Sequence, residues 1–165
     1  MKKLLAGLLL VGSVLSFGAQ RMQVEKMVMN GDLFYVQGEQ KPYSGEIEKK
    51  YPSGKTLGLA TIKAGKLEGK VYEYYENGKV KIETTYKNGQ KTGPAKIYDE
   101  NGRLDTEANL VNGKAEGLVK SYYPNGKIRT EENYKNDERD GISKLYDENG
   151  KLIEQATFKN GVQVK

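Results

Sequence analysis

Cysteine, histidine and tryptophan are all missing from this chain of 165 residues. Without cysteine there is no thiol nucleophile, no thiolate metal site, no disulfide and no N-terminal lipid anchor through a cysteine. Without histidine the commonest general base and the commonest metal ligand are gone. The glycine spacings match neither the dinucleotide fingerprint nor the phosphate-binding loop, each of which needs a strand, a glycine-rich turn and a helix. Carboxylates do occur in pairs, such as Glu131 with Glu132. Neighbouring residues of a strand point to opposite faces, so this pair does not converge. The DENG segments at Asp99 to Gly102 and Asp147 to Gly150 lack the ligand spacing of a calcium loop and read as ordinary turns. No enzyme, cofactor or metal site is therefore expected.

Long apolar runs are almost absent as well; the single one is Leu4 to Phe17, behind the basic Met1, Lys2 and Lys3. That arrangement predicts a signal peptide over residues 1–18, too short for a comfortable membrane span. The protein is accordingly expected to be exported, to a periplasmic, outer-surface or secreted location. Without Lys2 and Lys3 the 27 basic residues fall to 25 against 22 acidic, so the formal charge drops from +5 to +3. Lysine and glutamate are interspersed throughout, which argues against nucleic acid as a partner.

What the chain has in abundance is glycine on a fixed period. Gly45, Gly69, Gly93, Gly117 and Gly141 are spaced by 24 residues. A second set is Gly54, Gly78, Gly102, Gly126 and Gly150, preceded by Asn in all but the first copy, where Ser53 stands. A third set is Gly65, Gly89, Gly113 and Gly161, with Asp137 in the fourth copy and Asn88, Asn112, Asn136 and Asn160 before it. Asn-Gly between β-prone runs predicts a two-residue hairpin turn with positive φ at both central positions, and Asp tolerates the left-handed region too. Two turns per period mean two strands per period.

The segments between turns, such as Val71 to Tyr75 and Val80 to Tyr86, are β-branched and aromatic and too short for helices. Tyr74, Tyr98, Tyr122 and Tyr146 form one column before the central turn. After it come Val80, Leu104, Ile128 and Leu152, then Tyr86, Leu110, Tyr134 and Phe158. These last two columns lie an even number of residues apart, so they are expected on one core-facing side. Lys79, Arg103, Lys127 and Lys151, then Glu83, Glu107, Glu131 and Gln155, are expected on the opposite, solvated side. Tyr75 and Tyr123, facing away from the Tyr74 column, are the better contact residues, two copies or about 19 Å apart at 4.8 Å per strand.

The run of Gly, a short strand with Tyr, Asn-Gly-Lys, a second strand, an aromatic or aliphatic residue and Asn-Gly resembles the bacterial variant of the membrane occupation and recognition nexus (MORN) repeat. The resemblance covers roughly Tyr43 to Gly161. It implies an all-β fold, an elongated single-layer antiparallel β-hairpin array with two strands per 24-residue repeat. It also implies a binding role, and such proteins are often labelled the antitoxin component of a toxin–antitoxin system. It supplies no catalytic residues.

In chain order, residues 19–44 read as a diverged N-terminal capping hairpin around Met27 to Val36, followed by repeats at 45–68, 69–92, 93–116, 117–140 and 141–165. The final strand has free backbone groups, so edge self-association or docking of a partner is expected there. The function expected is a non-enzymatic protein-interaction or adhesion scaffold at the cell envelope, meeting an unidentified protein or glycan. Its binding residues would be Tyr75 and Tyr123 with the basic column Lys79, Arg103, Lys127 and Lys151. The alternatives are a peripheral module for anionic lipid or envelope polymer, and an antitoxin-like neutraliser of a partner protein.

Overall fold

The computed structural model describes residues 21–164, so the expected signal peptide lies outside the described residues. The strands are β1 (Met22–Gln23), β2 (Met27–Asn30), β3 (Leu33–Val36), β4 (Gly45–Lys50), β5 (Thr56–Lys63), β6 (Lys66–Leu67), β7 (Gly69–Tyr74) and β8 (Val80–Lys87). They continue with β9 (Gln90–Tyr98), β10 (Leu104–Val111), β11 (Lys114–Ala115), β12 (Gly117–Tyr122), β13 (Ile128–Lys135), β14 (Glu138–Tyr146), β15 (Leu152–Lys159) and β16 (Val162–Val164). From β4 to β16 every strand pairs antiparallel with a sequence neighbour, giving one long sheet of stacked hairpins. β1 adds a short parallel strand to β4, and β2 with β3 form a separate hairpin.

A single layer has no second layer to bury its faces. Among the described residues the buried apolar side chains are only Ile47, Ile62 and Phe158, joined by Glu48, Thr84 and Ser121. The stability of such an array comes from neighbour-to-neighbour contacts summed along its length.

The two turn columns fold differently. At the outer column the expectation of two left-handed residues holds: Asn88 and Gly89 have φ of 51° and 82°, and Asn136 and Asp137 have 53° and 72°. At the central column it fails. Gly78 is left-handed at 84°, but Asn77 is not among the positive-φ residues. The Gly78 N–H donates to the Tyr75 carbonyl at 2.9 Å and the Tyr75 N–H to the Lys79 carbonyl at 2.9 Å, which closes a three-residue loop ending in a glycine bulge.

A second bulge, just inside the strand pair, changes which residues share a face. Glu73 pairs with Ile82, but Tyr74 pairs with Val80, so Lys81 is an extra residue in its strand. The same slip recurs at Tyr98, Tyr122 and Tyr146. Counting even steps across it from Val80 to Tyr86 therefore misassigns the face. Val80 lies opposite Tyr74, whereas Tyr86 lies opposite Gly69 on the other face, and Glu83, opposite Tyr72, belongs to the tyrosine face rather than to a separate solvated one.

One turn breaks the outer pattern. Ala64 holds φ of 47° where the later copies carry asparagine. An exposed Ala64→Asn substitution removes a strain of about 1 kcal/mol and is expected to raise the urea midpoint by a corresponding amount. Beside it, the Phe34 N–H donates to the Gly65 carbonyl at 2.8 Å and the Gly65 N–H to the Tyr43 carbonyl at 2.7 Å. These bonds tie the β2–β3 hairpin to the first turn of the array.

Candidate functional site

All six sequence-predicted contact residues, Tyr75, Tyr123, Lys79, Arg103, Lys127 and Lys151, fall along one margin of the sheet, at or next to the three-residue loops. Stacked loops are joined there by side chains. The Tyr75 hydroxyl donates to the Tyr98 carbonyl at 2.8 Å and the Tyr123 hydroxyl to the Tyr146 carbonyl at 2.7 Å; Tyr51 does the same to Tyr74 at 2.7 Å. Lys79 Nζ donates to the Asn101 carbonyl at 2.8 Å and Lys127 Nζ to the Asn149 carbonyl at 3.1 Å. Asn77 and Asn125 reach the carbonyls of Glu100 and Glu148 at 2.8 and 2.9 Å. The margin is thus a preorganised rail in which the heads of Lys79, Arg103 and Lys127 already have partners, whereas Lys151 is tied by its backbone N–H to Asp147.

From Tyr75 onward, loops that begin with tyrosine alternate with loops that begin with aspartate. Asp99 Oδ1 accepts the backbone N–H of Asn101 and of Arg103, each at 2.9 Å, and its other oxygen takes Arg103 Nε at 2.8 Å. The Arg103 N–H, ahead of the Arg103 side-chain bond, holds the Asp99 carboxyl below its ordinary range. A depressed carboxylate stabilises the loop at neutral pH, and that contribution is lost as pH falls through the folded-state value. The DENG segment is turn chemistry.

The opposite margin is joined through the two-residue turns. The Gly89 N–H donates to the Leu67 carbonyl at 2.9 Å, and Glu68 Oε2 accepts the Asn88 N–H at 2.9 Å. Glu116 repeats the second bond with Asn136 at 3.1 Å. The sequence signal for the rails was recurrence at one period less a residue or two on the first margin and less four for the glutamate bonds of the second, which acquires meaning only once the hairpin phase is known.

Across the tyrosine face runs a row of alternating charge. Glu83 pairs with Lys96, Lys96 with Glu107, Glu107 with Lys120, Lys120 with Glu131 and Glu131 with Lys144, one strand or about 4.8 Å apart each time. Tyr122 donates to Glu107 Oε1 at 2.6 Å and Tyr146 to Glu131 Oε2 at 2.8 Å. Burial, then the Glu107 bond, pushes the Tyr122 phenol up to about 12. A raised phenol stabilises the fold in its protonated form, an effect present below the unfolded value near 10 and lost as pH rises through about 12. Glu107→Gln is expected to lower this transition without returning it to 10, because burial remains; tyrosinate absorbance against pH checks it. The other face is quieter, with Ser121 and Thr130 hydroxyls 2.6 Å apart and the Arg139 guanidinium 4.0 Å over the Phe158 ring.

The sequence pattern described as the MORN repeat variant matches residues 67–88, 91–112, 115–136 and 139–160, more than half of the chain. No curated protein matches. Among solved structures, the crystal structure of accessory secretory protein 1, 2 and 3 in Streptococcus pneumoniae is similar at 15% identity, over 76% of this chain and 21% of that chain, with a TM-score of 0.38. The chain therefore spans about a fifth of that neighbour's length.

Proposed function

The chain belongs to the MORN repeat variant family, and from that premise we propose that it is an exported, non-enzymatic scaffold that binds a partner protein at the cell envelope. Such repeats generally mediate interaction with proteins or membranes rather than catalysis. The observation that carries the reading is the two rails: both margins of the sheet are fixed by repeated hydrogen bonds while both faces stay open to solvent. A surface whose shape is set before contact loses little entropy on binding. The partner meets the margin carrying Tyr75, Lys79, Arg103, Tyr123, Lys127 and Lys151. Tyrosine suits such contact because its ring gives large area at low entropy cost, and here the hydroxyl is already held within the rail, which fixes the ring before contact.

We take residues 45–68 as the first of five repeats and residues 19–44 as their cap. Neutralisation of a partner, as an antitoxin does, is a narrower form of the same activity and requires a target outside the cytosol.

Affinity recovery from the native cell envelope with the exported chain is the test. A stoichiometric protein partner, retained less well by a Tyr75→Ser, Tyr123→Ser double variant, is the expected result. Recovery only on anionic vesicles, lost in salt, moves the function to the membrane surface. The charge row argues against that outcome, since each lysine in it lies between two glutamates or beside one.

A further inference from the structure

The charge row has a gap at its N-terminal end. One period before Glu83 stands Leu59, and one period before Lys96 stands Tyr72. These two residues pair with each other across β5 and β7, and Tyr72 in turn pairs with Glu83. An acid and a base have been replaced together, at neighbouring positions, by an aliphatic and an aromatic side chain. Tyr74 adds a second ring, 6.2 Å from Tyr72 between centroids and tilted by 31°.

Two concavities meet at this place. One, of about 180 Å³, lies between Leu59, Tyr72, Tyr74, Arg21, Glu46 and Lys70; the other, of about 420 Å³, continues past Leu59 and Tyr74 to the loop at Asn77 and Gly78. Together they make a groove along the strands. From Lys70 to Tyr74 alone it spans about 13 Å at 3.3 Å per residue.

The polar fittings beside Tyr72 come as two ion pairs, and at the far end of the groove Lys55 Nζ donates to the Glu76 carbonyl at 2.8 Å. Arg21 Nε is 3.0 Å from Glu46 Oε2, and Lys70 Nζ is 2.6 Å from Glu83 Oε1. Each pair offers donors and acceptors side by side with no net charge. Beside Tyr72 an anionic headgroup or phosphate would meet Glu46 and Glu83 as well as Arg21 and Lys70, leaving Lys55 at the far end as the one groove cation among the described residues without a carboxylate. An acyl chain would strip water from both pairs without replacing its hydrogen bonds. A pyranose chain has what both lack: apolar ring faces for Tyr72, Tyr74 and Leu59, and hydroxyl pairs that both donate and accept.

We infer that this groove is a subsite for a neutral oligosaccharide, lying on Leu59, Tyr72 and Tyr74 and oriented by Arg21–Glu46 and Lys70–Glu83. The site deepens the scaffold reading, on which it rests, by giving one place on the surface a ligand class.

The test uses the exported chain on an array of neutral and acidic oligosaccharides, with neutral hits titrated by calorimetry. The comparison variant is Leu59→Gln with Tyr72→Lys, which fills the gap with polar side chains without setting a second carboxylate opposite Glu48. Retention of neutral oligosaccharides by the unaltered chain, weakened at least tenfold in the variant at an unchanged melting temperature, is expected. Absence of neutral hits, preference for acidic glycans, or affinity indifferent to the variant overturns the inference. Should the double variant fail to fold, Tyr74→Ala decides, since the bond from Tyr51 uses the Tyr74 backbone carbonyl and survives the change. Envelope recovery with the same variant separates the two readings. An undiminished protein partner without glycan binding leaves the scaffold standing and removes the subsite, whereas glycan binding without a protein partner does the reverse.

Discussion

Ile62→Ala is expected to destabilise the head of the array by about 2–5 kcal/mol, the usual range for truncating a buried isoleucine. Ile62 is 1% exposed, the most completely buried large side chain among the described residues. It lies opposite Gly45 on one side and Leu67 on the other, three residues from the turn against which the β2–β3 hairpin docks. In a two-layer domain a lost core contact is shared among many neighbours. Here each hairpin touches mainly the next, so the loss falls on the first repeat. Urea unfolding followed by hydrogen exchange is expected to show early opening of β4 to β6 with later strands little changed. Ile153→Ala is the control, because Ile153 is 60% exposed and its truncation should stay within about 0.5 kcal/mol. Equal effects of the two substitutions would remove the idea of a head-end core.

Period, strand number and the outer turns were legible in the sequence because each rests on local backbone chemistry. Even Asp137 in a glycine column was foreseeable, since a short polar side chain supports the left-handed region it occupies, at φ of 72°. Face assignment was not legible. It depends on parity, and a single extra residue at Lys81, Asp105, Arg129 or Ile153 reverses parity without altering the pattern of apolar letters. The surface contacts were illegible for a related reason. Lys79 and Asn101 are 22 residues apart, and nothing in either residue says that one loop will stack on the next. The Leu59 and Tyr72 gap was visible as a departure from the repeat, but it gained meaning only when the register put the two residues side by side.

Gly65→Ala is the second large effect, and it should act on attachment rather than on the array itself. Gly65 is buried and holds φ of +79°, a conformation that costs a side-chain-bearing residue about 1–2 kcal/mol. Its backbone also passes so close to the N-terminal hairpin that an added Cβ would stand 3.0 Å from Leu33 Cβ and 3.1 Å from Pro42 Cβ. Overpacking of this kind typically costs about 1–3 kcal/mol more. The same residue accepts the Phe34 N–H and donates to the Tyr43 carbonyl, so any shift that relieves the clash breaks those bonds as well. Release of the hairpin is the cheapest relief, because β2 and β3 pair only with each other and form no strand of the main sheet. The expected result is rapid amide exchange and proteolytic cutting across Met27 to Tyr43, with near-native protection from β7 onward. Gly113→Ala provides the contrast: φ is +83° there but nothing lies within 4 Å of the added Cβ, so only the conformational cost remains. If both substitutions cost the same and the hairpin stays protected, the contact at Leu33 and Pro42 contributes nothing to holding it.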